Sequence, residues 1–576
     1  MRIIFYLRRT DSNYISAMQI NGLKYYLFLF FFLSLVSPSK AGDTTYHFNH
    51  EDTLRGSLNP YRTAYDVYYY HLNLIIDPSR HTVTGIGAIS FIVKHPTDSI
   101  QVDLFKNYKV LGVMDGRIWQ EYKIHGDHIF IHFYDTLKVG QKRTIEIHYT
   151  GEPPVAKNPP WDGGFVWGKD SLDRTWVGVA CEGLGASSWW PCKDHLSDKP
   201  DSMLISIGIP EGYFCVSNGQ LKNISNIYGG FYRYDWLVTY PINTYDVTVN
   251  IGKYSRIRYA YNSKAGKLDL DYFPLDYHKD RADQYFQNQV KPMLDCFEKY
   301  FGPYPFTRDG YGLVETKYWG MEHQGAIAYG NNFLINKYGF DFIIVHESAH
   351  EWWGNSLSVA DQAEMWINES FATYAESLYL ECTKNKTIEQ EYLNDQKKLI
   401  ANQHPVIGPF GVNFYKRTDN DIYYKGAWML HTLRNVINND SLWFDIIYSF
   451  QQKYKYSIVT TEDFVKLVNA KTGKNFSAFF DQYLRHSELP ELVFKVDKKG
   501  SKTVLSYYWK NTVKDFNMPV DLKILGGSEY RIYPTATIQK KVFKLGDLPI
   551  VEYRDTTNNI NVNADKFLIT VAQETK

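Results

Sequence analysis

The residues best suited to chemistry lie together in Phe342-Ile343-Ile344-Val345-His346-Glu347-Ser348-Ala349-His350-Glu351-Trp352-Trp353-Gly354-Asn355. His346 and His350 are four apart, so a helix presents both rings on one face, where both can reach one Zn2+. Glu347 follows the first histidine. It is placed to take a proton from an attacking water and pass it to a leaving nitrogen. A further helix is predicted to begin at Trp366-Ile367-Asn368-Glu369, with Glu369 lying 19 positions after His350. Two histidines and one glutamate make a catalytic zinc shell that keeps one position open. Glu376 is seven residues beyond Glu369 and on the same helix face. It either orients a ligand histidine or is an ordinary solvated or salt-bridged carboxylate. A bare His-Glu-x-x-His arises by chance in long chains, so the surrounding elements must support the reading.

Those elements divide the 576 residues into three regions after a leader. Residues 42–253 carry mostly strand signals: 71–76 and 83–91 alternate or are β-branched, and 203–209 resumes the pattern. Residues 254–488 carry helical spacing at 284–300, 341–353, 367–382, 423–436, 442–452, 461–472 and 476–484. Residues 489–576 return to a period of two, as at Leu492, Phe494 and Val496, and are expected to form a small β-sandwich. The fold class is thus multidomain α+β, with the candidate metal residues on helices of the middle region.

With the flanks Trp353-Gly354-Asn355 and Trp366-Ile367-Asn368-Glu369, the set His346, Glu347, His350 and Glu369 resembles the aminopeptidase N family of gluzincin metallopeptidases. That family also includes leukotriene-hydrolase-type enzymes. The resemblance implies an N-terminal β-saddle domain and a thermolysin-like catalytic domain, with one Zn2+ on His346, His350 and Glu369 and with Glu347 as base. Gly320-Met321-Glu322-His323 matches a second family motif, whose best-known version ends in Asn where this chain has His323. The resemblance assigns Glu322 to the substrate's free α-amine and Gly320 and Met321 to its backbone. Glu182, nine residues before Pro191-Cys192-Lys193-Asp194, matches a second amine anchor. Two carboxylates at the closed end of a cleft favour an ammonium, which an internal peptide bond does not bring. Tyr423-Tyr424-Lys425-Gly426 follows the family's Tyr-Glu-Lys-Gly pattern. It puts Tyr423 at the position whose hydroxyl donates to the oxyanion. Large family members continue as a helical domain over the cleft. The β-patterned tail here is expected to leave a more open site that admits longer peptides, and it argues against lipid-epoxide chemistry.

The expected activity is therefore a zinc-dependent aminopeptidase acting on peptides with a free N-terminus. The alternatives are a metallo-endopeptidase, an epoxide hydrolase, or a non-catalytic peptide-binding protein on the same scaffold. Lys+Arg and Asp+Glu are both 63, giving no net charge and no basic stripe for nucleic acid. There is no phosphate-binding Gly-Lys-Thr loop and no Gly-x-Ser-x-Gly elbow. Residues 25–36 are almost purely apolar, follow Lys24 and precede Ser39-Lys40-Ala41. They read as a signal peptide over residues 1–41, with Met18 an alternative start and an uncleaved anchor the alternative reading. A bacterial-type exported member, periplasmic or extracellular, is expected, without a transmembrane segment in the mature chain. Five cysteines are too few and too odd for a disulfide scaffold. Cys181 and Cys192 either bridge or are buried thiols.

Overall fold

The structure, a computed structural model, describes residues 48–412, 418–500, 502–524, 529–544, 560–562 and 565–574. The expected leader at 1–41 lies outside the described residues. Among these, no helix is long and apolar enough to cross a membrane.

After two short helices, His50–Gly56 and Pro60–Thr63, the chain up to Phe273 is built mostly of strands. Tyr65–Asp77 pairs antiparallel with Thr82–Val93 and parallel with Ser202–Pro210 at the centre of an eight-stranded sheet. Its alternating apolar residues, among them Leu72, Leu74 and Ile76, enter one core with Ile89, Ile145 and Ile205. A four-stranded sheet places Thr175–Ala180 between Gly164–Lys169 and Val249–Gly252. Its end at Ala180 delivers Glu182.

The middle region is helical but holds a sheet that periodicity did not announce. The strands run in the order Ile257–Ser263, Gly266–Phe273, Tyr311–Glu315, Ile327–Tyr329 and Gly320–Met321. The short inner strands are buried on both faces, so they show no alternation. Gly320–Met321 is the edge strand. It pairs on one side only, Gly320 with Tyr329 and Met321 with Ala328.

Four helices matter for the site: the long helix Lys279–Phe301, the histidine helix Phe342–Ala349, the glutamate helix Trp366–Thr383 and the tyrosine helix Tyr424–Ile437. The histidine helix is shorter than the predicted 341–353. Asp341 caps its start, its side chain accepting from the Ile343 N–H, and His350 is its C-cap. The chain then turns through Gly354, at φ 125°, so that the Asn355 N–H returns to the His350 carbonyl at 2.9 Å. His350 keeps right-handed helical angles, so the i,i+4 relation to His346 survives the early ending. The helix Lys386–Lys397 was not expected, since its sequence is largely polar.

The smaller C-terminal β region begins at Glu491. Leu492, Leu505, Trp509, Leu522 and Phe567 belong to the same hydrophobic core as the helices. The Tyr483 hydroxyl donates to the Leu568 carbonyl at 2.8 Å. A disulfide joins Cys296 of the long helix to Cys382 of the glutamate helix, while Cys181, Cys192 and Cys215 are buried free thiols.

Candidate metal centre and peptide site

The histidine and glutamate helices pack against each other, and three side chains meet between them. Nε2 of His346 and Nε2 of His350 are 3.3 Å apart. They lie 3.4 and 3.5 Å from Oε2 of Glu369. The other ring nitrogens are committed. Nδ1 of His346 meets the Glu376 carboxylate at 2.7 Å, and Nδ1 of His350 meets the Trp353 carbonyl at 2.9 Å. Both partners are acceptors, so each Nδ1 carries a hydrogen, and Nε2 is the nitrogen each ring turns toward the other. Glu369 Oε2 is buried beside them. Three buried donor atoms converging in this way fit a cation, and the His2Glu donor set fits zinc.

The electrostatics agree. Burial opposes charge on both rings, yet hydrogen bonding to Glu369 and Glu376 holds His346 well above its ordinary range. Against the same burial, Glu369 and Glu322 carry His350 up to about 9. Burial also raises Glu369, but the two histidines prevail and hold it down to about 2.

Glu347 faces this set. Its carboxylate, that of Glu322 and a His350 nitrogen lie within 4.8 Å of one another, as do Glu182, Glu322 and Glu369. Burial pushes Glu347 up to about 7, with the two histidines opposing and Glu322 and Glu369 adding. Burial followed by Glu322 raises Glu182 well above the carboxylate range. Burial likewise raises Glu322, partly countered by His350. Among the described residues, none of these four acids pairs with a lysine or arginine. The site is thus short of positive charge at two places: between the ligand atoms, and between Glu182 and Glu322.

Tyr423 is the N-cap of the tyrosine helix, its ring centroid 6.1 Å from that of His346. Glu369, then burial, then Glu182 and Glu322 raise its hydroxyl pKa, which locates the phenol among the acids. Tyr424 looks elsewhere: burial and Glu376 raise it to about 12. Tyr423 and Tyr424 differed in sequence only by register, and the structure turns Tyr423 toward the site. Gly426 lets this helix approach the glutamate helix, since a Cβ there would overlap Ser370 beside Glu369. Gly320 does the same for the edge strand, where a Cβ would overlap the Glu347 carboxylate. The Met321 side chain is buried in the β core.

Sequence reasoning overlooked Tyr245, whose hydroxyl donates to Oε1 of Glu322 at 3.3 Å and which lines a cavity with Glu182. It also overlooked Asn355, whose side chain donates to the Glu322 carbonyl at 2.7 Å, although Asn355 stands in the quoted Trp-Gly-Asn flank.

Residues 285–483 match the sequence profile of the Peptidase family M1 domain. The fold is that of the M1 metallopeptidases. The M1 zinc metallopeptidase from Deinococcus radiodurans superposes with a TM-score of 0.63 at 20% identity, covering 74% of this chain and 94% of that one. Legionella pneumophila aminopeptidase A, solved in complex with aspartic acid, gives 0.72 at 15% identity, covering 89% of this chain and 60% of that one. Among curated relatives, Endoplasmic reticulum aminopeptidase 1 of Homo sapiens is 24% identical over 348 residues. Those residues are 57% of this chain and 36% of that protein. The chain spans about a third to a half of the length of such curated relatives.

Proposed function

We propose that the protein is a zinc-dependent aminopeptidase that removes N-terminal residues from peptides. The observation that carries this reading is the pair of charge deficits in one cleft. One is a set of three converging donor atoms, fit for a metal. The other, beside it, is the half-buried Glu182 and the buried Glu322 with no basic partner, fit for an ammonium.

His346, His350 and Glu369 would hold the zinc. Bound there, it would supply Lewis-acid polarisation of the scissile carbonyl and of the attacking water. Glu322 and Glu182 bind the α-ammonium, and Tyr245 orients Glu322. Glu347, held near neutrality by its burial, accepts the water proton and returns it to the departing amine nitrogen. The Tyr423 hydroxyl donates to the oxyanion that develops as the carbonyl is attacked. Gly320 and Met321 offer edge-strand backbone groups to the peptide. An extended segment adds to such an edge by main-chain pairing.

The finer architecture follows the same reading: a β-saddle at 42–253, a thermolysin-like catalytic domain at 254–488 and a β-sandwich at 489–576. Export, with residues 1–41 removed and a periplasmic or extracellular site of action, is part of the proposal. The Cys296–Cys382 disulfide supports it, since such bonds persist in oxidising compartments.

The test is hydrolysis of aminoacyl-amide reporters, each beside its N-acetylated twin, with and without a chelator and with zinc restored afterwards. Cleavage of the free-amine forms alone, lost with chelator and regained with zinc, is the expected result. Cleavage of the acetylated twins would overturn the amine-anchor roles of Glu182 and Glu322 and point to an endopeptidase.

A further inference from the structure

The edge strand has a direction, and that direction says where the rest of a peptide must go. Glu322 lies at one end, within reach of Glu182, and Gly320 lies against the Glu347 carboxylate. A chain whose ammonium sits at Glu322 and whose first carbonyl faces Glu347 therefore continues past Gly320, away from Glu322. The next residue along that path is Trp319.

Trp319 is 46% exposed and Trp161, from a different region of the sequence, is 61% exposed. Their rings meet edge to face with centroids 6.4 Å apart. On its other side Trp319 meets Phe342, also edge to face, at 5.1 Å. Phe342 opens the histidine helix one turn before His346, so the same helix face runs from the metal ligands out to this aromatic wall. The indole is fixed to the frame of the site. Its Nε1 donates to Asn331 at 3.3 Å, and its carbonyl accepts from the Gly330 N–H at 2.7 Å. Asn331 in turn donates to Asp341, the cap of the histidine helix, at 2.8 Å. Fixed indoles open to solvent present broad apolar area at little entropic cost, and contiguous exposed apolar surface of this kind marks a binding site.

We propose that Trp161, Trp319 and Phe342 form a subsite for a large apolar or aromatic side chain one or two positions after the scissile bond. The protein would then cleave oligopeptides carrying such a residue there in preference to single-residue amides. The inference rests on the aminopeptidase reading above. Its occupant is the downstream part of the substrate, because the wall is continuous with the edge strand and lies on the side opposite the amine anchors.

The experiment compares free-amine tripeptides that share a first residue and carry Gly, Ala, Leu or Phe at the second or the third position. An aminoacyl-amide reporter runs in parallel. The expected result is a kcat/KM about tenfold higher for Phe than for Gly at one of these positions, the scale of one aromatic contact. In Trp161→Ala that ratio falls to within about twofold, and Trp319→Phe retains it. A wild-type ratio near one while the reporter is cleaved overturns the subsite alone. An unchanged ratio in Trp161→Ala also overturns it. Folded, zinc-loaded protein that cleaves neither the reporter nor any of the tripeptides overturns the aminopeptidase reading and this inference with it.

Discussion

Nδ1 of His346 lies 2.7 Å from Oε1 of Glu376, a carboxylate two turns along the helix that supplies Glu369. One helix thus contributes a candidate ligand and the group that orients another. Glu376 is itself held by the Tyr392 hydroxyl and by Gln396 Nε2 at 3.2 Å. A hydrogen-bonded carboxylate of this kind fixes the ring tautomer and raises its basicity. Glu376→Gln is expected to weaken zinc binding by about 10- to 100-fold. Competition with a graded chelator measures this directly. Unchanged zinc affinity would leave Glu376 a packing residue only.

The two adjacent tyrosines make a sharper contrast. Tyr423 feels Glu369 first, whereas Tyr424 feels Glu376 and burial. Tyr423→Phe removes the donor to the oxyanion and is expected to lower kcat by about 100- to 1,000-fold with KM little altered. Tyr424→Phe should cost less than tenfold. Steady-state kinetics on one reporter separates them, and a reversed order would exchange their roles.

Gly320 is required for space, not for a special backbone angle. A Cβ there would overlap Glu347, so Gly320→Ala must displace either the carboxylate or the edge strand. Displacing a base by about 1 Å can cost on the order of 100-fold. Gly320→Ala should therefore lose kcat to that degree while still binding one zinc per chain. Loss of zinc together with activity would instead point to a wider collapse of the site.

The pairing of His346 and His350 was legible in the sequence because its information is local, whereas Glu369, on another helix, was reached through the motif that follows it. Helical periodicity alone puts His346 and His350 together, and the histidine helix still delivers them although it stops at Ala349. The role of Gly320 was visible only through a motif, because its contact with Glu347 depends on how a strand approaches a helix. Tyr245 had no signal, being one tyrosine among 47. The inner strands Tyr311–Glu315 and Ile327–Tyr329 were missed because burial on both faces erases alternation. Lys386–Lys397 was missed because few apolar residues mark its buried side.

The disulfide was illegible for a different reason: pairing cannot be deduced from an odd set of cysteines. Cys296 and Cys382 close a span of 86 residues between two packed helices. On loop-entropy grounds such a bond contributes about 4.6 kcal/mol. Cys181, Cys192 and Cys215 are already free thiols, so reductant should act through the disulfide alone. Reduction is expected to lower the unfolding midpoint of the wild type. The double variant Cys296→Ser, Cys382→Ser should start from that lower midpoint and ignore reductant. A wild type indifferent to reductant would contradict this.

Asp103 sets the acid limit of the N-terminal β region. It is fully buried, bonded to Arg62, and meets Nδ1 of His128 at 2.7 Å. The Asp194 N–H donates to it at 3.0 Å, and Tyr65 packs nearby. Burial raises its pKa, but Arg62, His128 and Gln101 outweigh that and hold it at about 2, below the ordinary 3.8. A carboxylate with a depressed folded pKa stabilises fully above its unfolded value. That stability, of order 2 kcal/mol here, fades as pH falls from about 4 through 2. Asp103→Asn leaves Arg62 buried without its counter-ion and should cost about 3–5 kcal/mol at pH 7. Protonating Asp103 makes the wild type resemble the variant. The gap between their denaturant midpoints should therefore stay constant from pH 7 to 5 and narrow below pH 4. A gap that stays constant down to pH 3 would show that Asp103 is not the group whose protonation loosens this region.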